Sequence, residues 1–205
     1  MNLATLFEEK NIVMDVESQD RLEALAEVMQ KIPHNGRLRN KEKALRDLIE
    51  REKLSSTAIG GLFAVPHVFT EEANLPTLVF ARSKKGIEFN SLDQKPVHLL
   101  LLAFGHPRKK NFFIQCLYHA VQLLRDPEVF RQLMEANEPM DVLKAFECQG
   151  QRPAKHLFRP FSHCNGNGNG NGHHSGNGRK EHDTQSDPRV MVGQYLAKAA
   201  IEVEK

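Results

Sequence analysis

The stretch Val97-His98-Leu99-Leu100-Leu101-Leu102-Ala103-Phe104 constrains this 205-residue chain most. It has the length of a strand and falls far short of the roughly 20 apolar residues that span a membrane. Its apolar residues do not alternate with polar ones, so such a strand needs cover on both faces. Helix-like stripes stand on either side of it. A strand covered twice, among helices, predicts a layered α/β domain.

The other elements follow from local pattern. Leu3–Lys10 reads as a short helix and Ile12–Val16 as a strand. Asp20 and Glu23 form a capping-box pattern before Leu22, Leu25, Ala26 and Met29. Pro33 and Asn35-Gly36 end that helix. Asn40 caps a second one, striped by Ala44, Leu45, Leu48 and Ile49. Phe63-Ala64-Val65 and Thr77–Ala81 read as strands. Phe112, Phe113, Cys116, Leu117, Ala120, Val121 and Leu124 mark a long helix. Asp126-Pro127 is a helix restart, and a last helix carries Met140, Val142, Leu143 and Phe146.

Composition narrows the function classes. Twenty-eight Lys+Arg against 26 Asp+Glu gives +2, which offers no charge-based case for nucleic-acid binding. Three cysteines without CxxC spacing argue against a disulfide scaffold and suit a reducing compartment. No membrane-length apolar run and no signal-like N-terminus leave a cytoplasmic protein as the expectation. Residues 163–178, HCNGNGNGNGHHSGNG, have almost nothing to bury. The reading is a folded domain at 1–148, a flexible His/Asn/Gly-rich linker at 149–186, and a short helix or docking segment at 187–205.

Of ten histidines, His163, His173, His174 and His182 sit in or beside that linker, where no metal-ligand spacing is fixed. No metal and no cofactor are expected. His34 and His156 read as surface residues, His119 as exposed or packing, and His98 as structural. His67 stands apart, at the end of Ser55-Ser56-Thr57-Ala58-Ile59-Gly60-Gly61-Leu62-Phe63-Ala64-Val65-Pro66-His67. Two glycines allow a tight turn, and Pro66 stiffens the backbone just before the imidazole. A histidine so presented suits a nucleophile or a general base. Arg51, sixteen residues earlier, offers a bidentate phosphate contact, and Ser56 and Thr57 offer hydroxyl donors.

The run Arg51-Glu52…Ser56-Thr57-x-Ile59-Gly60…Ala64-Val65-Pro66-His67 resembles the active-site segment of enzyme IIA domains of the bacterial phosphoenolpyruvate-dependent sugar phosphotransferase system. The resemblance is to the fructose/mannitol class, which includes the nitrogen-regulatory IIA proteins. Two further stretches match in order: Gly86-Ile87-Glu88-Phe89-x-Ser91-Leu92-Asp93-x-x-Pro96-Val97-His98-Leu99, and Leu123-Leu124-Arg125-Asp126-Pro127-Glu128. Together they cover about residues 3–147.

The resemblance implies a mixed β-sheet with helices on both faces. It implies phospho-HPr as donor, His67 as acceptor, and a IIB protein or regulatory target as the next partner in trans. By carry-over Arg51 steadies the phosphoryl oxygens, and Ser56, Thr57 and the Gly60 and Gly61 amides line the phosphate site. Family members often carry a second histidine near the first, and here that position falls at Phe113. His106 is the candidate substitute. Leu62 and Ala58 stand where glycine is common. These departures suit a regulatory protein better than a sugar relay.

Two alternatives stay open. One is a docking module that kept the fold and lost the reaction. The other is an unrelated enzyme with His67 as general base, oriented by Glu71, Glu72 or Asp93.

Overall fold

The computed structural model describes residues 6–58 and 60–149. The Asn-Gly linker and terminal segment expected beyond residue 149 lie outside the described residues. One five-stranded sheet forms the middle layer. Its strands are β1 (Ile12–Val13), β2 (Phe63–Ala64), β3 (His67–Phe69), β4 (Thr77–Ile87) and β5 (Val97–Gly105). The order is β1-β4-β5-β2, with β3 also on β5. The β4–β5 pair is antiparallel and the other pairs are parallel. The sheet is therefore mixed, as expected.

The helices are α1 (Arg21–Lys31), α2 (Lys41–Leu54), α3 (Lys110–Leu124), α4 (Pro127–Glu135) and α5 (Pro139–Gln149). Their starts obey the side chains read as caps. Asp20 accepts from the Leu22 and Glu23 amides at 2.8 and 3.1 Å. Asn40 accepts from Lys43 N at 2.8 Å, and Asp126 from Glu128 N at 2.9 Å. Each cap satisfies amides the helix cannot pair itself.

The non-alternating β5 sequence now has its cause. Leu99, Leu101 and Ala103 join one core with α3, α4 and α5, while Leu100, Leu102 and Phe104 join another with α1 and α2. Strand β4 divides likewise, Leu78 and Phe80 against Val79 and Ala81. Helices thus cover both faces.

Two local expectations change. Of the helix expected over Leu3–Lys10, the described residues form no α-helix, and a 3-10 turn spans Glu9–Asn11. The strand expected over Ile12–Val16 narrows to Ile12–Val13, although Val16 N still donates to Arg82 O at 2.8 Å. In contrast β4 runs well beyond Ala81. There Arg82, almost wholly buried, donates to the carbonyls of Met14, Leu133, Met134 and Ala136 at 2.7–3.3 Å. A cation at the end of α4 also opposes the negative pole of that helix.

Candidate functional site

Strands β2 and β3 are two halves of one sheet edge, both paired with β5. The break falls at Val65-Pro66, where proline has no N–H to give. The Pro66 carbonyl still accepts from Ala103 N at 2.9 Å. His67 opens β3 opposite Ala103 and is 4% exposed. Its Nδ1 lies 2.9 Å from the Val65 carbonyl oxygen. A carbonyl only accepts, so Nδ1 carries the proton, and the lone pair of the neutral ring sits on Nε2. Register sets the direction of the ring. Val65, Ala103 and Phe69 belong to the α3 side of the sheet and Val68 to the α2 side, which puts His67 on the α3 side.

The turn before β2 is built on left-handed backbone. Gly60, Gly61 and Leu62 have φ of 96°, 79° and 67°. Leu62, where the family commonly has glycine, thus adopts a conformation that favours glycine. It is held there by its carbonyl, which accepts from His98 N at 2.7 Å and Leu99 N at 3.2 Å. Asp93 clamps the turn from outside, accepting from Gly61 N at 3.1 Å and also from Ser91 Oγ and Lys95 N. Burial alone would raise the Asp93 pKa, but these donors hold it below the ordinary value. Ser56 Oγ donates to the Phe89 carbonyl at 2.6 Å and accepts from Ala58 N at 3.2 Å. The Ser56 hydroxyl proton and the Gly61 amide, both read as phosphate donors from sequence, are therefore directed at protein acceptors.

Two hydrogen bonds, one from α2 and one from the segment that follows it, fix how this stretch lies along the edge. Asp47 accepts from Thr70 Oγ1 at 2.5 Å, and Thr57 O accepts from Val65 N at 3.5 Å. Helix α2 therefore runs antiparallel to β3, with Arg51 between the tethers on one side and His67 between them on the other. Arg51 Nη1 donates to Ser55 O at 3.0 Å. Because α2 covers the opposite face, an approach of the guanidinium to the imidazole runs round the sheet edge that β2 and β3 form.

Glu52, next to Arg51, is fully buried and accepts from Thr57 N at 2.8 Å through Oε1. Burial pushes its carboxyl above the ordinary value, with the Thr57 amide and hydroxyl and the Arg51 and Arg21 charges pulling partly back. Sequence reading gave Glu52 no role. The signal was its place four residues after Leu48 and eight after Ala44, in the buried stripe of α2.

His106 lies one residue beyond Gly105, which pairs with Phe69 at the far end of β3. Its Nδ1 accepts from Arg108 N at 3.1 Å, and its Nε2 stands 3.0 Å from Glu71 Oε2. Both ring nitrogens are engaged, one capping a turn at Pro107–Lys109 and one facing a carboxylate. Phe113 is fully buried, edge-on to Phe69 at 5.3 Å between ring centroids. Lys110 Nζ sits 5.9 Å from the Phe69 ring centroid, a cation–π geometry. His98 is structural, its Nδ1 2.9 Å from Ser83 O. Among the described residues no cluster of three His, Cys, Asp or Glu has a metal-binding arrangement, and no helix is long and apolar enough to cross a membrane.

Comparison with known proteins matches this architecture. The sequence model described as "Phosphoenolpyruvate-dependent sugar phosphotransferase system, EIIA 2" matches residues 5–148. The chain is 29% identical over 136 residues to the fructose-specific EIIABC component of Bacillus subtilis, covering 66% of this chain and 21% of that protein. It is thus similar to only about a fifth of that longer relative. It is 33% identical over 107 residues to the fructose-specific EIIA component of Haloferax volcanii, covering 52% of this chain and 70% of that one. In fold it is similar to the nitrogen regulatory protein IIA-Ntr of Neisseria meningitidis, with a TM-score of 0.65 at 21% identity, over 70% of this chain and 98% of that one.

Proposed function

Because this chain belongs to the EIIA 2 family of the phosphoenolpyruvate-dependent sugar phosphotransferase system, we propose that it carries a phosphoryl group on His67, received from phospho-HPr. The observation that carries the reading is the Nδ1–Val65 bond, which leaves the lone pair on Nε2. In the first step the Nε2–phosphorus bond forms as the donor's histidine nitrogen leaves. In the second, a cysteine thiolate of a IIB partner takes the phosphoryl group and Nε2 recovers its lone pair. Transfer of this kind needs alignment and charge stabilisation rather than other chemistry. Arg51 is assigned to the phosphoryl oxygens, with Thr57 and the Gly60 amide. Ser56 and Gly61 are assigned to shaping the turn. The setting is the cytoplasm, where such donors and acceptors act.

Two uses are compatible with the relatives: a fructose relay and nitrogen regulation. We favour regulation, because Phe113 brings no polar group to the His67 face and His106 is engaged with Glu71 and Arg108. The same observations favour the second reading, a docking module without turnover.

An intact-mass time course with phosphoenolpyruvate, enzyme I and HPr separates them. The expected result is acid-labile phosphate on the parent and none on His67→Ala. No phosphate on the parent, beside a competent IIA control, would leave the docking module.

A further inference from the structure

We propose that Glu52 is a positioning residue for transfer at His67: by gripping the Thr57 amide from below, it keeps the Thr57 hydroxyl for the phosphoryl group. This rests on the reading of His67 as acceptor. Glu52 is wholly buried in a stripe otherwise filled by Ala44 and Leu48. Carboxyl groups are almost never buried so completely unless paired. One oxygen is paired, to Thr57 N at 2.8 Å. The other, Oε2, has no hydrogen-bond partner, and neither has the Thr57 hydroxyl.

The Thr57 hydroxyl is close enough to lower the Glu52 pKa as a hydrogen bond does, yet neither it nor Oε2 has a partner in full hydrogen-bond geometry. Two adjacent unpaired polar atoms in a core are costly, and an apolar residue at 52 would remove one of them. Thr57 is also tied to the active strand, through its carbonyl and Val65 N, two residues before His67. A hydroxyl unmatched at rest suits an acceptor that arrives later, and a phosphoryl group brings three oxygens.

The test is the same phosphorylation assay, run on the full chain with Glu52→Gln, Glu52→Met and Thr57→Val. Gln keeps an oxygen for the Thr57 amide, whereas Met fills the space and offers none. The expected result is Glu52→Gln within about threefold of the parent. Glu52→Met is expected to fall roughly ten- to hundredfold in kcat with little change in KM for phospho-HPr, the size that small misplacement costs. Thr57→Val should fall about as far, and the double variant little further. Thr57→Val remains decisive even if Glu52→Met does not fold. Parent-like transfer by Thr57→Val or by folded Glu52→Met, or equal losses for Gln and Met, would overturn the proposal while leaving His67 as acceptor. A parent that takes no phosphate would overturn that reading of His67 and the role of Glu52 with it.

Discussion

His67 Nδ1 is bonded to the carbonyl of Val65, two residues back, at 2.9 Å. The chain thereby selects the tautomer of its own imidazole. Phosphate on this protein is expected at Nε2 and not at Nδ1. Phosphorus–nitrogen couplings in a 15N-histidine-labelled sample distinguish the two positions. A signal from the Nδ1 isomer would mean that the Val65 bond opens before reaction.

Leu62 holds φ 67° while its carbonyl accepts from the His98 and Leu99 amides. For a non-glycine residue that conformation costs on the order of 1 kcal/mol. Leu62→Gly relieves it but loses about 0.5–1 kcal/mol of chain entropy, so its stability should match or slightly exceed the parent's. Leu62→Val, branched at Cβ, should lose about 1–2 kcal/mol. Urea midpoints measure both, and a stable valine variant would show that the turn can rearrange.

Phe113 packs over Gly105, where an added Cβ would stand 2.7 Å from the ring. Gly105→Ala is expected to destabilise by roughly 2 kcal/mol, as overpacking does. Phe113→His exchanges a fully buried ring for a polar one and should cost roughly 1–3 kcal/mol. It should nevertheless speed phosphorylation of His67 if a donor on that face is what the site lacks. Melting temperature and phosphorylation rate, taken on the same sample, separate the two effects.

Arg82 satisfies four backbone carbonyls at once, among them the last ones of α4. Arg82→Met fills much of the space but leaves them without that donor, at an expected cost of about 3 kcal/mol or more. Chemical denaturation reads the loss directly. A change below about 1 kcal/mol would mean that water replaces the guanidinium.

Two carboxyl groups give opposite pH signatures. Burial would raise the Glu27 pKa, but Lys31, Ser18 and the Glu17 and Ser18 amides bring it down from 4.5 to about 2. Its contribution is present above pH 4.5 and is lost as pH falls towards about 2. Glu52 is raised by burial, so its proton is held more tightly in the folded chain. Its contribution is present below pH 4.5 and is lost as pH rises towards the folded value. Glu27→Gln should flatten the acid limb of a stability profile, and Glu52→Gln the limb above pH 4.5. The reverse assignment would contradict both environments.

The strand at Val97–Phe104, the caps at Asp20, Asn40 and Asp126, and the exceptional place of His67 were legible in the sequence. Each follows from local chemistry: an unbroken apolar run, a short polar side chain before a helix, a proline before an imidazole. Tertiary structure decided what depends on distant partners. Pairing with β5 made one edge strand of Phe63–Ala64 and His67–Phe69, and so gave the His67 ring its side of the sheet. The tethers to Asp47 in α2 and to Thr57 beyond it set Arg51 and His67 along the same stretch of that edge. His106 looked like a spare histidine in the sequence, yet Arg108 and Glu71 occupy both its nitrogens. Glu52 had no role in the sequence reading, and its burial and its bond to the Thr57 amide exist only in the fold. Local patterns settle which residues form elements, because backbone preferences act over a few residues. Register and burial settle what those residues face, because they exist only once distant segments meet.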